Sequence, residues 1–174
     1  KNAEKAFRSW GKLEVGDRLK FIKRLADHLE KHKHDHAKLI TLEMGRVYSD
    51  SVSEIEKSVS ICKYYLANAE KFLAEQHVPT EAAKSYVEYA PLGVILGIMP
   101  WNFPYSQSFR AVIPSLIAGN VFVLKPASNV PQCALAIESL FTSAKFPAGV
   151  FTNIFVEGAE VSEIIKDNRI SAVT

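Results

Sequence analysis

Two short apolar runs, Val94–Met99 and Val121–Leu124, constrain this chain more than any other feature. Each is rich in branched side chains and too short for a helix, the pattern of strands buried on both faces of a parallel sheet. Each also ends abruptly in a turn bearing a proline, Pro100 and Pro126. Proline stops a ladder because it lacks an N–H and fixes its own φ. Between the runs lies a segment of helical length, Ser106 to Ala118. The unit reads strand–helix–strand, a right-handed crossover that leaves the strands parallel, with their carboxyl ends on one edge. Ligands of open α/β sheets bind outside that edge. Asn102 stands just past one strand end and Lys125 at the other, so both are expected to face one cleft.

The rest of the chain extends this unit. Pro131 opens a second crossover helix that turns Cys133, Ala134, Ile137, Leu140 and Phe141 inward. Phe151–Val156 reads as a third strand. Gly158 opens a short helix with Val161, Ile164 and Ile165 inward, and Ile170–Thr174 begins a fourth strand. Upstream, Phe21, Ile22, Leu25 and Leu29 recur at helical spacing, Leu39, Ile40 and Leu42 continue the pattern, and Gly45 is a plausible stop. A further helix starts near Asp50, its stripe of Val52, Ile55, Val59, Cys62 and Leu66 set against a polar face of Glu54, Glu56, Lys57 and Lys63. Val78-Pro79-Thr80 breaks that helix, and Ser85–Ala90 alternates as a half-exposed strand, a pairing liability if left alone. The fold class is therefore α/β: N-terminal helices packed on a doubly wound, parallel, Rossmann-like sheet.

Bulk properties narrow the function. A net charge of +2 over 174 residues, with no basic tract interleaved with aromatics, gives no reason to expect nucleic acid. No apolar stretch is long enough to cross a bilayer, and the start is not a signal peptide. The two cysteines, Cys62 and Cys133, suggest neither a disulfide framework nor a metal site, so a reducing cytoplasm is expected. His28, His32 and His36 are four apart and would share one helix face, a spacing that can chelate zinc. Lys31, Lys33 and Lys38 among them would repel a divalent ion, and a solvated helix face is the preferred reading. The start without Met and the stop inside a strand pattern are read as a fragment.

The motifs carry a resemblance. Pro-Trp-Asn-Phe-Pro (Pro100–Pro104), Leu-Lys-Pro-Ala-Ser (Leu124–Ser128) and Pro-Ala-Gly-Val (Pro147–Val150), in this order, resemble the NAD(P)-dependent aldehyde dehydrogenase superfamily. Ile-Met-Pro-Trp-Asn-Phe-Pro is most similar to its succinate-semialdehyde dehydrogenase branch, and the likeness covers essentially the whole chain. It implies the N-terminal part of an NAD(P)-binding domain, truncated before the catalytic domain. Residues 1–77 would form a helical segment, 78–91 a strand of the oligomerisation arm, and 92–174 the βαβ sheet units.

The implied reaction oxidises an aldehyde, with succinate semialdehyde the leading substrate, to a carboxylic acid with NAD or NADP. It proceeds through a thiohemiacetal on a cysteine absent from this chain. Other aldehydes, an acylating relative, or a catalytically inert nucleotide-binding fragment remain alternatives. The complete protein would be a cytoplasmic homodimer or homotetramer without membrane or nucleic-acid partners. By resemblance Asn102 is the catalytic oxyanion donor, a neutral amide that does not trap the product carboxylate. A local reading also stands: Asn is a favoured capping or turn residue. Met99, Pro100 and Trp101 would line the nicotinamide-ribose side of the cofactor site together with Asn102. Lys125 would reach the adenosine ribose hydroxyls, with Pro126 and Ala127 leading to Ser128 at the 2′ position. Serine there leans toward accepting NADP as well as NAD, because its hydroxyl can donate to a 2′-phosphate. The Gly-x-Gly-x-x-Gly fingerprint is absent, since Gly93 and Gly97 lie in or beside a strand. Val161 stands where many relatives have a glycine near the pyrophosphate. Cys62 and Cys133 occupy apolar helix positions and are read as core residues, and Glu138 and Glu157 match no general-base motif.

Overall fold

A computed structural model describes residues 1–174. Four helices come first: α1 (Asn2–Trp10), α2 (Val15–Lys31), α3 (Lys33–Met44) and α4 (Tyr48–Leu73). Two minimal strands, β1 (Gln76–His77) and β2 (Tyr86–Val87), pair antiparallel. The remainder alternates β3 (Val94–Ile98), α5 (Pro104–Ile117), β4 (Val121–Lys125), α6 (Pro131–Ser143), β5 (Phe151–Asn153), α7 (Gly158–Ile165) and β6 (Ile170–Val173).

Strands β3 to β6 form one all-parallel sheet in the order β5-β4-β3-β6. From β3 the chain builds outward to β5, then returns through α7 to lay β6 on the free side of β3. That reversal makes the gap between β3 and β6 the topological switch point, and the loop following β3 stands over it. Helices α5 and α6 cover the face carrying Leu124, while α1 and α7 lie over the face carrying Val94 and Val123. Burial from both sides explains why the two founding strands read as unbroken apolar runs. Gly97 has a packing role: a Cβ there would lie 2.4 Å from the ring of Phe122 on the neighbouring strand.

Helices α2, α3 and α4 form an outer layer on α5 and α6, and the core runs from Trp10, Ile22 and Leu25 through Ile113 and Leu116 to Phe122. Gly45 ends α3 in the left-handed region at φ 66°, where a residue without Cβ carries no steric penalty.

Several expectations need correction. The histidines do not share one helix face, because the helix breaks at His32 between α2 and α3. His36 Nδ1 instead meets the Tyr105 hydroxyl at 2.7 Å, and His34 Nδ1 meets that of Tyr48 at 2.8 Å. Leu42 falls off the apolar stripe and is 81% exposed. The strand expected over Ser85–Ala90 shrinks to Tyr86–Val87, since its only partner is equally short. The third strand stops at Asn153 rather than Val156. Ile165 is exposed, and α7 buries no residue fully, because this short helix packs against little besides β6. Glu54, expected on the solvated face of α4, is only 3% exposed.

Candidate active site at the carboxyl edge of the sheet

Strands β3 and β4 run in register with Ile98 opposite Lys125, and the Met99 N–H donates to the Lys125 carbonyl at 3.0 Å. The loops that follow, Met99–Phe103 and Pro126–Val130, therefore leave neighbouring parallel strands on the same edge. Asn102, Trp101, Pro100 and Ser128 are exposed there, Met99, Lys125 and Ala127 are half-buried, and Pro126 is buried. Between the loops, Met99, Pro100, Leu124, Pro126 and Val130 border a space of only about 10 Å³. That is about the volume of one probe sphere. Between these two loops the edge therefore encloses no cavity large enough for a ligand.

The two loops share a construction. Asn102-Phe103-Pro104 leads into α5 and Asn129-Val130-Pro131 leads into α6. Proline at the first helical position suits a helix start, but the residues at the caps, Phe103 and Val130, have no side-chain acceptor. The orphan donors of each first turn are met from the outer layer. Glu54 Oε1 on α4 accepts from the N–H groups of Tyr105 (2.9 Å) and Ser106 (3.1 Å). Glu43 on α3 accepts from Gln132 (2.7 Å) and Cys133 (2.8 Å), one carboxylate oxygen each. A carboxylate at a helix N-terminus also complements the macrodipole.

The opposite ends are held by basic or indole groups. Arg18 Nε donates to the Ile117 carbonyl at 2.7 Å, and Trp10 Nε1 donates to that of Leu116 at 3.0 Å. Arg24 Nε donates to the Ala144 carbonyl at 2.9 Å, just past α6.

Around Glu54 the network reaches the loop itself. Arg46 Nη1 lies 2.5 Å from Glu54 Oε2 and 3.5 Å from the Asn102 carbonyl, and its guanidinium sits 4.2 Å over the Phe103 ring. Burial pushes the Glu54 pKa up, while the two backbone N–H groups and Arg46 pull it back down. With Glu54 as the cap, the Asn102 side chain is not used for capping, and α5 carries no side-chain cap of its own.

The other titratable candidates are committed elsewhere. Cys62 and Cys133 are buried, and burial pushes the Cys62 thiol up to about 12 and the Cys133 thiol well up, so neither is a thiolate at neutral pH. Glu138 accepts from the Asn153 N–H at 3.1 Å, and Glu157 closes the capping box of α7 with Glu160. Val161 is half-buried within α7. Glu43 and Glu54 are the site-supporting residues that sequence reading missed. The signal available for Glu54 was its place between Ser51 and Ser58, a row of polar and small residues along α4 beside the apolar stripe.

The model of the aldehyde dehydrogenase family matches residues 1–174. The chain belongs to the aldehyde dehydrogenase family. It is 45% identical over 172 residues to a probable NADP(+) succinate-semialdehyde dehydrogenase of Synechocystis, covering 99% of this chain and 38% of that protein. A succinate-semialdehyde dehydrogenase [NADP(+)] of Deinococcus radiodurans is 37% identical, with 99% of this chain and 36% of that protein covered. The succinic semialdehyde dehydrogenase of Streptococcus pyogenes, solved in complex with NADP+, superposes with a TM-score of 0.94 at 32% identity, over 98% of this chain and 38% of that one. The chain thus spans under two-fifths of the length of these family members.

Proposed function

We propose that this chain supplies the dinucleotide-binding edge and one oxyanion donor of an enzyme that oxidises an aldehyde to a carboxylic acid with NAD or NADP, succinate semialdehyde being the leading substrate. The observation that supports this is that Asn102 is exposed and spared from capping, in the loop after β3, the strand paired in register with the one that ends in Lys125. The succinate-semialdehyde dehydrogenases among its relatives support the substrate, and the NADP+ held by the Streptococcus pyogenes protein supports the cofactor.

The residues present fit a dinucleotide lying along the edge. Lys125 offers an ammonium to ribose hydroxyls, Ser128 a hydroxyl to a 2′-phosphate, and Met99, Pro100 and Trp101 an apolar wall on the nicotinamide side. The first turns of α5 and α6 are already bonded to glutamates, so they are closed to the phosphates as donors. When bound, the nicotinamide supplies a hydride acceptor. Asn102 Nδ2–H would donate to the aldehyde oxygen as it gains charge under attack by a thiolate. That thiolate is not Cys62 or Cys133, whose buried thiols stay protonated at neutral pH.

In the complete protein, Asn102→Ala is expected to lower turnover of succinate semialdehyde on the order of a hundred- to a thousandfold, read as the rate of nicotinamide reduction. Unchanged turnover in a chemistry-limited assay would remove Asn102 from the oxyanion role. Dinucleotide binding without reduction by any aldehyde would favour an inert nucleotide-binding module.

A further inference from the structure

Both cleft loops present their polar side chains outward although each directly precedes a helix with an unfilled cap position. Asn is among the strongest N-capping residues, and an Asn beside bare first-turn N–H groups competes to bond them. Asn102 and Asn129 are both in that place, and Ser128 is one residue further back. Neither α5 nor α6 has a side-chain cap from its own loop, because Glu54 and Glu43 occupy the donors from 51 and 89 residues away.

We propose that Glu54 and Glu43 are positioning residues, one for each cleft loop: by holding the first turns of α5 and α6, they fix the loops and leave Asn102 and Ser128 free for ligand. The proposal deepens the reading above and rests on it for the roles of the loops. The two supports are unequal. Glu54 is buried and extends through Arg46 to the ring of Phe103 and the carbonyl of Asn102. Glu43 is half-buried, and its carboxylate bonds two N–H groups of α6 and meets the Cys133 thiol, without reaching the loop itself. Glu54 therefore acts on the loop carrying the oxyanion donor, and Glu43 on the loop carrying the ribose and 2′ contacts.

The test is a split between two parameters in the complete protein. Glu54→Gln is expected to lower kcat at saturating cofactor by at least about tenfold while changing the NADP Kd less than about twofold. Glu43→Gln is expected to raise the NADP Kd by at least about fivefold with kcat at saturation nearly unchanged. Both variants keep an acceptor oxygen, so folding is preserved better than with alanine. Equal changes in both parameters for both variants would mark the glutamates as merely structural. A crossed pattern, or no change in either parameter, would also overturn the assignment.

Two further measurements separate this proposal from the functional reading. Amide exchange should quicken at Tyr105 and Ser106 only in the Glu54 variant, and at Gln132 and Cys133 only in the Glu43 variant. Asn102→Ala is assayed alongside. If that variant keeps full turnover while the exchange pattern holds, the oxyanion reading has failed and the loop anchoring has not. If exchange fails to localise, the anchoring itself is wrong.

Discussion

Helices α5 and α7 both follow a strand of the same sheet, yet their first turns are closed in opposite ways. In α5 the N–H groups are bonded by a glutamate from another layer, and the far end by Arg18 and Trp10. In α7 the cap is local: Glu157 and Glu160 bond each other's backbone N–H groups within one turn. The difference follows burial. Helix α5 buries nine of its fourteen residues and α7 buries none. A buried helix end cannot fall back on water, so its donors must be met by protein wherever a partner lies. The comparison teaches where rigidity is placed. The loop before α5, over the switch point, is tied to the helical layer, and the segment before α7 depends on itself.

The largest expected effect lies at the tied end. Glu54→Ala leaves Arg46 without its carboxylate and two buried N–H groups unpaired, so a loss of about 3–5 kcal/mol in unfolding free energy is expected. Denaturant titration reads it directly. A loss below about 1 kcal/mol would mean that water or Asn102 had taken over the cap, and the contrast with α7 would dissolve.

Much of this was legible in sequence, and what was not has a common cause. The strands β3 and β4 follow from branched apolar runs, and Pro104 and Pro131 announce helix starts, because those signals are local. Asn102 and Lys125 were placed at one edge because a strand–helix–strand crossover leaves its two strands parallel. Glu54 was assigned to a solvated face because its partners, Tyr105 and Ser106, lie 51 and 52 residues along the chain. The row Ser51, Glu54 and Ser58 hints that this side of α4 is covered, but nothing local names the helix that the carboxylate bonds. The break at His32 was likewise hidden, since its polar, helix-compatible neighbours carry no Gly or Pro to announce it.

A second test concerns another contact that grips α5 from outside. His36 on α3 bonds the hydroxyl of the fully buried Tyr105, and burial, helped by the nearby His32, holds its pKa down at about 4. The unfolded chain takes up this proton near the ordinary value of about 6.5, before the native state does. Stability from this group is thus complete above that value and is lost as pH falls toward 4. Discounted for the partial exposure of the ring, the loss amounts to about 1–2 kcal/mol. Unfolding free energies at pH 7 and pH 4 should differ less in His36→Gln than in the parent. Equal differences would show that the contact to α5 does not carry this pH dependence.

The smallest effect should come from α7, and its size decides how far the contrast extends. Glu157→Ala removes one side-chain acceptor from an exposed first turn, while the Glu160 carboxylate can still reach back to the N–H of residue 157. Water replaces the missing acceptor, so the cost should be about 0.5–1 kcal/mol, the lower part of the range for N-cap loss. It should also stay local, with faster amide exchange at Glu160 and no change at Tyr105 or Ser106. A cost matching that of Glu54→Ala would be informative in a different way. It would mean that α7 is coupled to the layer beneath it through β6, and that the two ends of the sheet are held to the same standard after all.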